Sequence, residues 1–382
     1  MLQSFFCPTR IHFGAGAHEK LAELVGTLNC TRIFVTADPA MRSSAILARI
    51  LAILDQAGIA HSVFSDIEPD PSDTTVAKAF EQCRAHGATA ILALGGGSTI
   101  DVGKGAGILM TNGGRINDYE GIEVFRTPPL PLIAIPTTAG TGSEVSGSCT
   151  ITDTTRNLKM SIRHASLNPA RIAILDPVAL RTLPEHVAVH SGIDAFVHAF
   201  ESYVSKGANP FTDALNLRAM TLLAGSIRAF AADRTNEQAG LDMLMGSAMA
   251  GMCFGQTGLG NVHCIARFLG AYFHLSHGLS NALCLPAVAE FNRPAAIARY
   301  ARVAPLLGVT DDLPEEEASR ATVAAIAQLC RDLGVPPRLR DAGAREEVYE
   351  EMADLCVAAG YDRWNPRPTT REDFLALLRQ AH

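Results

Sequence analysis

The first half of this chain alternates short apolar runs with stretches of helical periodicity, and that alternation limits the fold more than any other feature of the sequence. RIFVT at residues 32–36 reads as a buried strand, and MRSSAILARILAILDQAG carries apolar residues at helical spacing up to Gly58. A short strand at residues 61–64, a helix at 74–86 and the strand ATAILAL at 88–94 follow, the last running into three glycines. LPLIAIP at residues 130–136 and RIAILDP at 171–177 are two further strands. Strands alternating with helices imply right-handed crossovers and a mostly parallel sheet. Such sheets bind ligands beyond the carboxyl ends of their strands, so the chemistry is expected in the turns that follow strands.

Two such turns stand out. In Gly95-Gly96-Gly97-Ser98-Thr99-Ile100-Asp101 the glycines let a ligand approach the backbone, and Ser98 is expected to cap a helix whose N-terminus favours a phosphate or pyrophosphate. The glycines alone are equally consistent with a tight turn that holds no ligand. Thr137-Thr138-Ala139-Gly140-Thr141-Gly142-Ser143-Glu144 closes the LPLIAIP strand, with hydroxyls able to line the same crevice or simply to meet solvent. Asp38, just after the first strand, suits an adenosine ribose hydroxyl and would favour NAD over NADP; an Asp-Pro step is also common in ordinary turns. Gly103-Lys104 does not complete a Walker loop, and Gly14-Ala15-Gly16 lacks the third glycine of the dinucleotide fingerprint and precedes the first clear strand.

Beyond Leu183-Pro184 the strand signals vanish. Residues 187–205, 213–232, 239–254, 261–273, 294–307, 313–333, 345–359 and 371–379 all read as helix. At 382 residues the chain is too long for one ordinary domain, and the boundary is placed near residue 180: residues 1–180 an α/β domain, residues 181–382 all-α. Within SGIDAFVHAFESYVS, Asp194 and His198 sit four residues apart and share one helix face. His263 and His277 follow in a long, otherwise apolar stretch. One carboxylate and three imidazoles suit Fe(II) or Zn(II) better than Mg or Ca. A lone Asp-x-x-x-His pair is more often structural, and histidines are often simply hydrogen-bonded core or surface residues.

A net charge of −7 gives no electrostatic reason to expect nucleic acid or an anionic membrane as partner. Nine cysteines, scattered singly and without a CxxC pair, read as reduced and mostly buried thiols. No secretion signal is read at the N-terminus, and the long uncharged runs at residues 243–266 and 268–289 are broken by Gly, Gln, Asn, Ser and His, so a cytoplasmic protein is expected.

Phe13-Gly14, GGGSTIDVGK, IPTTAGTGSEV, ILDP, SGIDAFVHAFESYVS, HLSHGLSNALCLPAVAEFN and the tail from Asn365 to Thr370 occur in an order that resembles the iron-dependent (group III) alcohol dehydrogenase family across almost the whole chain. The resemblance implies a dehydroquinate synthase-like fold, with a Rossmann-like dinucleotide-binding α/β domain, a helical metal-binding domain and an active site in the cleft between them. It implies NAD(P)-dependent interconversion of alcohols with aldehydes or ketones, usually in homodimers or higher homo-oligomers. It assigns the metal ligands to Asp194, His198, His263 and His277, and cofactor binding to Asp38, Gly95, Gly96, Gly97, Ser98, Asp101, Thr137, Thr138, Ser143 and Lys159. The metal, Fe(II) or alternatively Zn(II), would then act as a Lewis acid on the substrate oxygen during hydride transfer.

Departures from the family pattern are as informative. Arg267 stands where a site-lining histidine is common; a guanidinium cannot shuttle a proton but can clamp a carboxylate, phosphonate or sulfonate. That points to a polar or anionic short-chain substrate, unless Arg267 pairs instead with a structural carboxylate. Gly255, Gln256, Thr257 and Asn261 differ from the usual block, and Ser276 replaces a common proline before His277. His274 is expected one turn before His277, lining the site as a possible relay or else solvated, and Lys104 and Glu144 are open to a structural role. Glycerol dehydrogenase-like and maleylacetate reductase-like enzymes share the architecture, but the one-Asp, three-His set fits the iron-type family better. A non-catalytic metal- or nucleotide-binding protein is the alternative of a different class.

Overall fold

A computed structural model of the protein describes residues 4–382. Residues 1–3, part of the segment in which no secretion signal is read, lie outside them. The chain divides into two compact units, one of Phe6–Leu183 and one of Pro184–His382 that also takes in Ser4 and Phe5.

In the first unit the strands are β1 (Arg10–Phe13), β2 (Arg32–Ala37), β3 (Ala60–Phe64), β4 (Ala90–Gly95), β5 (Gly121–Ile122), β6 (Leu132–Pro136), β7 (Ser148–Asp153), β8 (Leu158–Arg163) and β9 (Ile172–Leu175). The helices are α1 (Leu21–Thr27), α2 (Ala45–Gln56), α3 (Asp73–His86) and α4 (Gly97–Asn112). Six strands form one sheet in the order β1-β9-β6-β4-β2-β3, every neighbouring pair parallel. Its central strands are buried on both faces, which is why they read as unbroken apolar runs rather than as alternation. Successive side chains nevertheless serve different cores. Ile33, Val35, Leu92, Leu94, Ile133 and Ile135 pack with α1 and α2, whereas Phe34, Ile91, Ala93 and Ala134 pack with α3 and α4.

Helix α4 approaches the sheet closely because Gly103 and Gly107 carry no side chain there. A Cβ at Gly103 would lie 3.2 Å from Thr36 Oγ1 and 3.4 Å from Ile91 Cγ2, and one at Gly107 would lie 3.3 Å from Ile91 Cδ1.

The sequence reading omits β1, β5 and the β7–β8 hairpin. β1 is a short edge strand, so the Gly14–Gly16 turn does follow a strand; its Gly16 N–H donates to Asp176, 3.2 Å away, rather than facing a ligand. β5, β8 and β7 form a separate three-stranded sheet. Ser98 does not cap α4: the capping position is Gly96, and Ser98 falls in the first turn.

The second unit is helical: α5 (Glu185–Val204), α6 (Pro210–Ala232), α7 (Glu237–Thr257), α8 (Asn261–Phe273), α9 (His277–Asn292), α10 (Ile297–Val303), α11 (Glu315–Asp332), α12 (Tyr349–Ala359) and α13 (Arg371–Ala381). α5 is buried continuously from Gly192 to Val204, a helix with no solvent face over those turns. Close packing holds it there: a Cβ at Gly192 would lie 2.8 Å from both Ile227 on α6 and Met243 on α7. α9 is missing from the sequence reading, and the helix expected at residues 294–307 is broken into 3-10 turns on either side of α10. Every cysteine is a free thiol, and all but Cys7 are buried. No helix among the described residues is long and apolar enough to cross a membrane.

Candidate functional site

Asp194 and His198 lie on consecutive turns of α5, His263 in the first turn of α8, and His277 is the first residue of α9. One ligand atom from each lies within 4.8 Å of the others. His263 Nε2 and His277 Nε2 are each 3.7 Å from Asp194 Oδ1, and His198 Nδ1 is 3.9 Å from Asp194 Oδ2. Ligands about 2.1 Å from a tetrahedral centre stand about 3.4 Å apart, so the four groups are near enough to close on a divalent ion. Asp194, His198 and His263 are buried and His277 is exposed, which leaves the site open on one side. Burial pulls the Asp194 carboxyl upward, but His198, His277, His263 and the Asn281 amide outweigh it and hold the group below its usual range.

Two residues absent from the sequence reading complete the cluster. Asn281, one turn beyond His277 on α9, is fully buried; its Nδ2 lies 2.6 Å from Asp194 Oδ1 and 3.3 Å from Nε2 of both His263 and His277. Two amide hydrogens among three acceptors leave lone pairs for an ion, so the donor set fits a metal. Glu201, one turn after His198, places Oε2 2.6 Å from His263 Nδ1. The His198 ring stacks on Phe254 and on His263, with centroids 4.5 Å away in each case. The spacing rule that pairs Asp194 with His198 also reaches Asn281 from His277.

In the first unit Asp38, Gly95–Ser98 and Thr137–Thr138 follow the adjacent strands β2, β4 and β6 at their carboxyl ends. The two turns touch: Thr137 N–H donates to Gly95 O at 3.1 Å, and a Cβ on Gly97 would lie 2.9 Å from Thr141 Cγ2. The glycines therefore serve packing between turns and leave the N-terminus of the 16-residue α4 bare of side chains. Asp38 caps a short 3-10 turn, accepting from Ala40 N–H at 2.9 Å.

Asp101 and Ser143 are drawn into a different network. Ser143 Oγ is 2.6 Å from Asp101 Oδ1, Thr150 N–H donates to Oδ2 at 2.9 Å, and the buried Lys104 ammonium reaches Ser143 Oγ and the Ser146 and Ser148 carbonyls. Burial raises Asp101 and lowers Lys104, and it pushes nearby Glu144 up to about 7. Lys159 lies on β8 of the small sheet, paired with Asp70 at 2.8 Å.

The matches to the two halves of a known family decide the grouping. Residues 8–177 match the iron-containing alcohol dehydrogenase model, and residues 188–382 match the C-terminal model of the Fe-containing alcohol dehydrogenase family. The chain belongs to the iron-containing alcohol dehydrogenase family. It is 35% identical to 1,3-propanediol dehydrogenase of Citrobacter freundii over 380 residues, 99% of this chain and 98% of that one. It is 32% identical to NAD-dependent methanol dehydrogenase of Bacillus methanolicus over 386 residues, covering 100% of both. The crystal structure of a 1,3-propanediol oxidoreductase superposes with a TM-score of 0.97 at 35% identity, covering 100% of both chains.

Against the family pattern, most of the departures have local structural explanations. Thr257 is buried against Ser202, 2.8 Å between hydroxyls, Gln256 donates to the Met252 carbonyl at 2.6 Å, and Asn261 donates to Thr369 at 2.7 Å. Ser276 Oγ lies 3.0 Å from His190 Nδ1. His274 is not on a helical turn before His277: it ends α8 in a left-handed conformation with φ 55°, exposed. Arg267 is half-buried one turn beyond His263 on α8, with its guanidinium carbon 6.0 Å from the Phe268 ring centroid.

Proposed function

We propose that this family member is an NAD-dependent, metal-dependent alcohol dehydrogenase or aldehyde reductase acting on short-chain substrates, with Asp194, His198, His263 and His277 as its metal ligands. The convergence of those four ligand atoms carries the reading. When bound, a divalent ion supplies Lewis acidity at the substrate oxygen, and the nicotinamide accepts or donates the hydride. Asp194 contributes a single negative charge, which leaves net positive charge in a dipositive site. Asn281 holds the Asp194 carboxylate by its amide, and the Phe254 and His263 rings fix the plane of His198. The N–H groups opening α4 would receive the pyrophosphate, with Gly95–Gly97, Ser98, Thr137 and Thr138 lining its seat and Asp38 accepting from the ribose. Asp101 and Ser143 would act by holding the seat's walls together, given their bonds to Thr150 and Lys104.

Metal-free protein reconstituted anaerobically with Fe(II) or Zn(II) is expected to oxidise NADH with a short aldehyde, and chelation should cut the rate at least about 100-fold, beyond the 10–100-fold typical of losing an outer partner of a metal ligand. Equal activity after complete metal removal would refute the assignment.

The position of Arg267, on the His263 face of α8, favours a polar or anionic substrate within this class. A planar guanidinium binds a carboxylate in a bidentate fork, so kcat/KM for a short ω-carboxylate aldehyde should exceed that for the plain alkanal about tenfold or more. Arg267→Ala should erase that preference; a variant that keeps it removes Arg267 from substrate recognition. Cytoplasmic localisation and assembly into homodimers or larger homo-oligomers remain part of the proposal.

A further inference from the structure

We propose that Glu201 is a positioning residue of the metal centre: it holds His263 as the tautomer with its proton on Nδ1, so that the bare Nε2 lone pair is aimed at the four-ligand site. The inference rests on the metal-binding reading above. Glu201 is 3% exposed and His263 4%, so water cannot substitute for their 2.6 Å contact. Both oxygens of Glu201 already accept from backbone, Val262 N–H at 2.7 Å and His263 N–H at 3.4 Å. An acceptor crowded by donors at the positive end of α8 requires Nδ1 to donate as well. Nε2 is then left with its lone pair and faces Asp194, 3.7 Å away.

The same carboxylate also replaces a missing cap. The capping position of α8 is Gly260, which has no side chain to offer; a Cβ there would lie 3.0 Å from Glu201 Oε1. Glu201 therefore reaches across from α5 to seal the first turn of α8. Since α5 also carries Asp194 and His198, one side chain sets the register between helices that together supply three of the four ligands. A cap alone would be satisfied by any acceptor, whereas control of the tautomer demands one that cannot donate to Nδ1.

Glu201→Gln separates the two roles, because its amide oxygen can still accept from the backbone while its NH2 group offers a donor to Nδ1. Full-length metal-free protein and the variant would be titrated with Co(II), following the visible spectrum, with thermal midpoints measured with and without Zn(II). Expected are a 10–100-fold loss of Co(II) affinity in the variant, a shifted spectrum and a reduced Zn(II)-dependent rise in Tm. A lower metal-free Tm with unchanged Co(II) affinity would reduce Glu201 to a helix cap and overturn the proposal. Wild-type protein that binds no Co(II) would overturn the four-ligand reading itself, a separate outcome. Should the variant fail to fold, 15N-histidine-labelled wild-type protein loaded with Zn(II) decides: a proton on His263 Nδ1 is expected, and a deprotonated Nδ1 refutes the role.

Discussion

Asp38 follows β2 with one carboxylate oxygen turned back onto Ala40 N–H, a bond that fixes the side chain at the edge of the proposed nucleotide seat. A carboxylate there would accept from a ribose hydroxyl and repel a 2′-phosphate. Asp38→Ser keeps a capping oxygen and removes the charge, so the ratio of kcat/KM with NADPH to that with NADH should rise at least about tenfold; a ratio that stays put separates Asp38 from coenzyme choice. At this scale the sequence is legible where one periodicity rule suffices. Asp194 and His198 declare themselves by their spacing on one helix. His263 and His277 stand out as imidazoles in apolar sequence, but spacing does not join them to that pair, because separate helices bring them there; the family resemblance is what makes them ligands of the same ion. Glu201 and Asn281 lay one helical turn from named ligands, but an acid and an amide in apolar sequence carry no label until their partners are known. Lys159 was named by resemblance alone, and its ion pair with Asp70 is invisible to local pattern.

The pairing of α5 with α9 depends on Gly278, where an added methyl would overlap the His190 carbonyl. Backbone cannot rotate aside as a side chain can, so Gly278→Ala should cost about 1–3 kcal/mol by overpacking. It should also weaken metal binding, since α9 carries both His277 and Asn281. Urea unfolding together with Co(II) titration checks both; loss of stability with intact affinity would uncouple the helix from the ligand geometry. α9 is hard to read from sequence for a physical reason. It contains Pro286 and is buried on nearly all sides, so neither an amphipathic stripe nor an unbroken run of helix formers marks it. The β7–β8 hairpin, by contrast, was legible. Cys149, Ile151 and Asp153 on one strand and Met160 and Ile162 on the other alternate with less buried residues, a period of two. β1 is different again, four residues whose strand character comes only from pairing with β9.

For the molecule as a whole, stability should carry the mark of one buried acid. Glu144 has its carboxyl pushed up to about 7 by burial, from an ordinary value of 4.5. The folded chain thus binds that proton more tightly than the unfolded chain does. Its contribution to stability is complete below the ordinary value and is lost as the pH rises through about 7. Glu144→Gln, which cannot ionise, should match wild type near pH 4, below the ordinary value, and exceed it near pH 8 by up to about 3 kcal/mol. Denaturant midpoints at the two pH values test this, and a difference that does not vary with pH would show that Glu144 is not the group responsible.

The division into an α/β unit and a helical unit was readable because sheet-forming runs stop at one point in the chain. The spacing within the first unit was not, for it is set by what is missing. Gly103 and Gly107 let α4 settle onto the sheet, and the opening turn of that helix is the proposed pyrophosphate seat. The depth of that seat is accordingly calibrated from beneath, by two positions that face Ile91 and Thr36 rather than the coenzyme. A single methyl added at either would press on those side chains and, to the extent that they cannot yield, would act as a shim, lifting the helix and loosening the proposed seat without altering any atom that lines it.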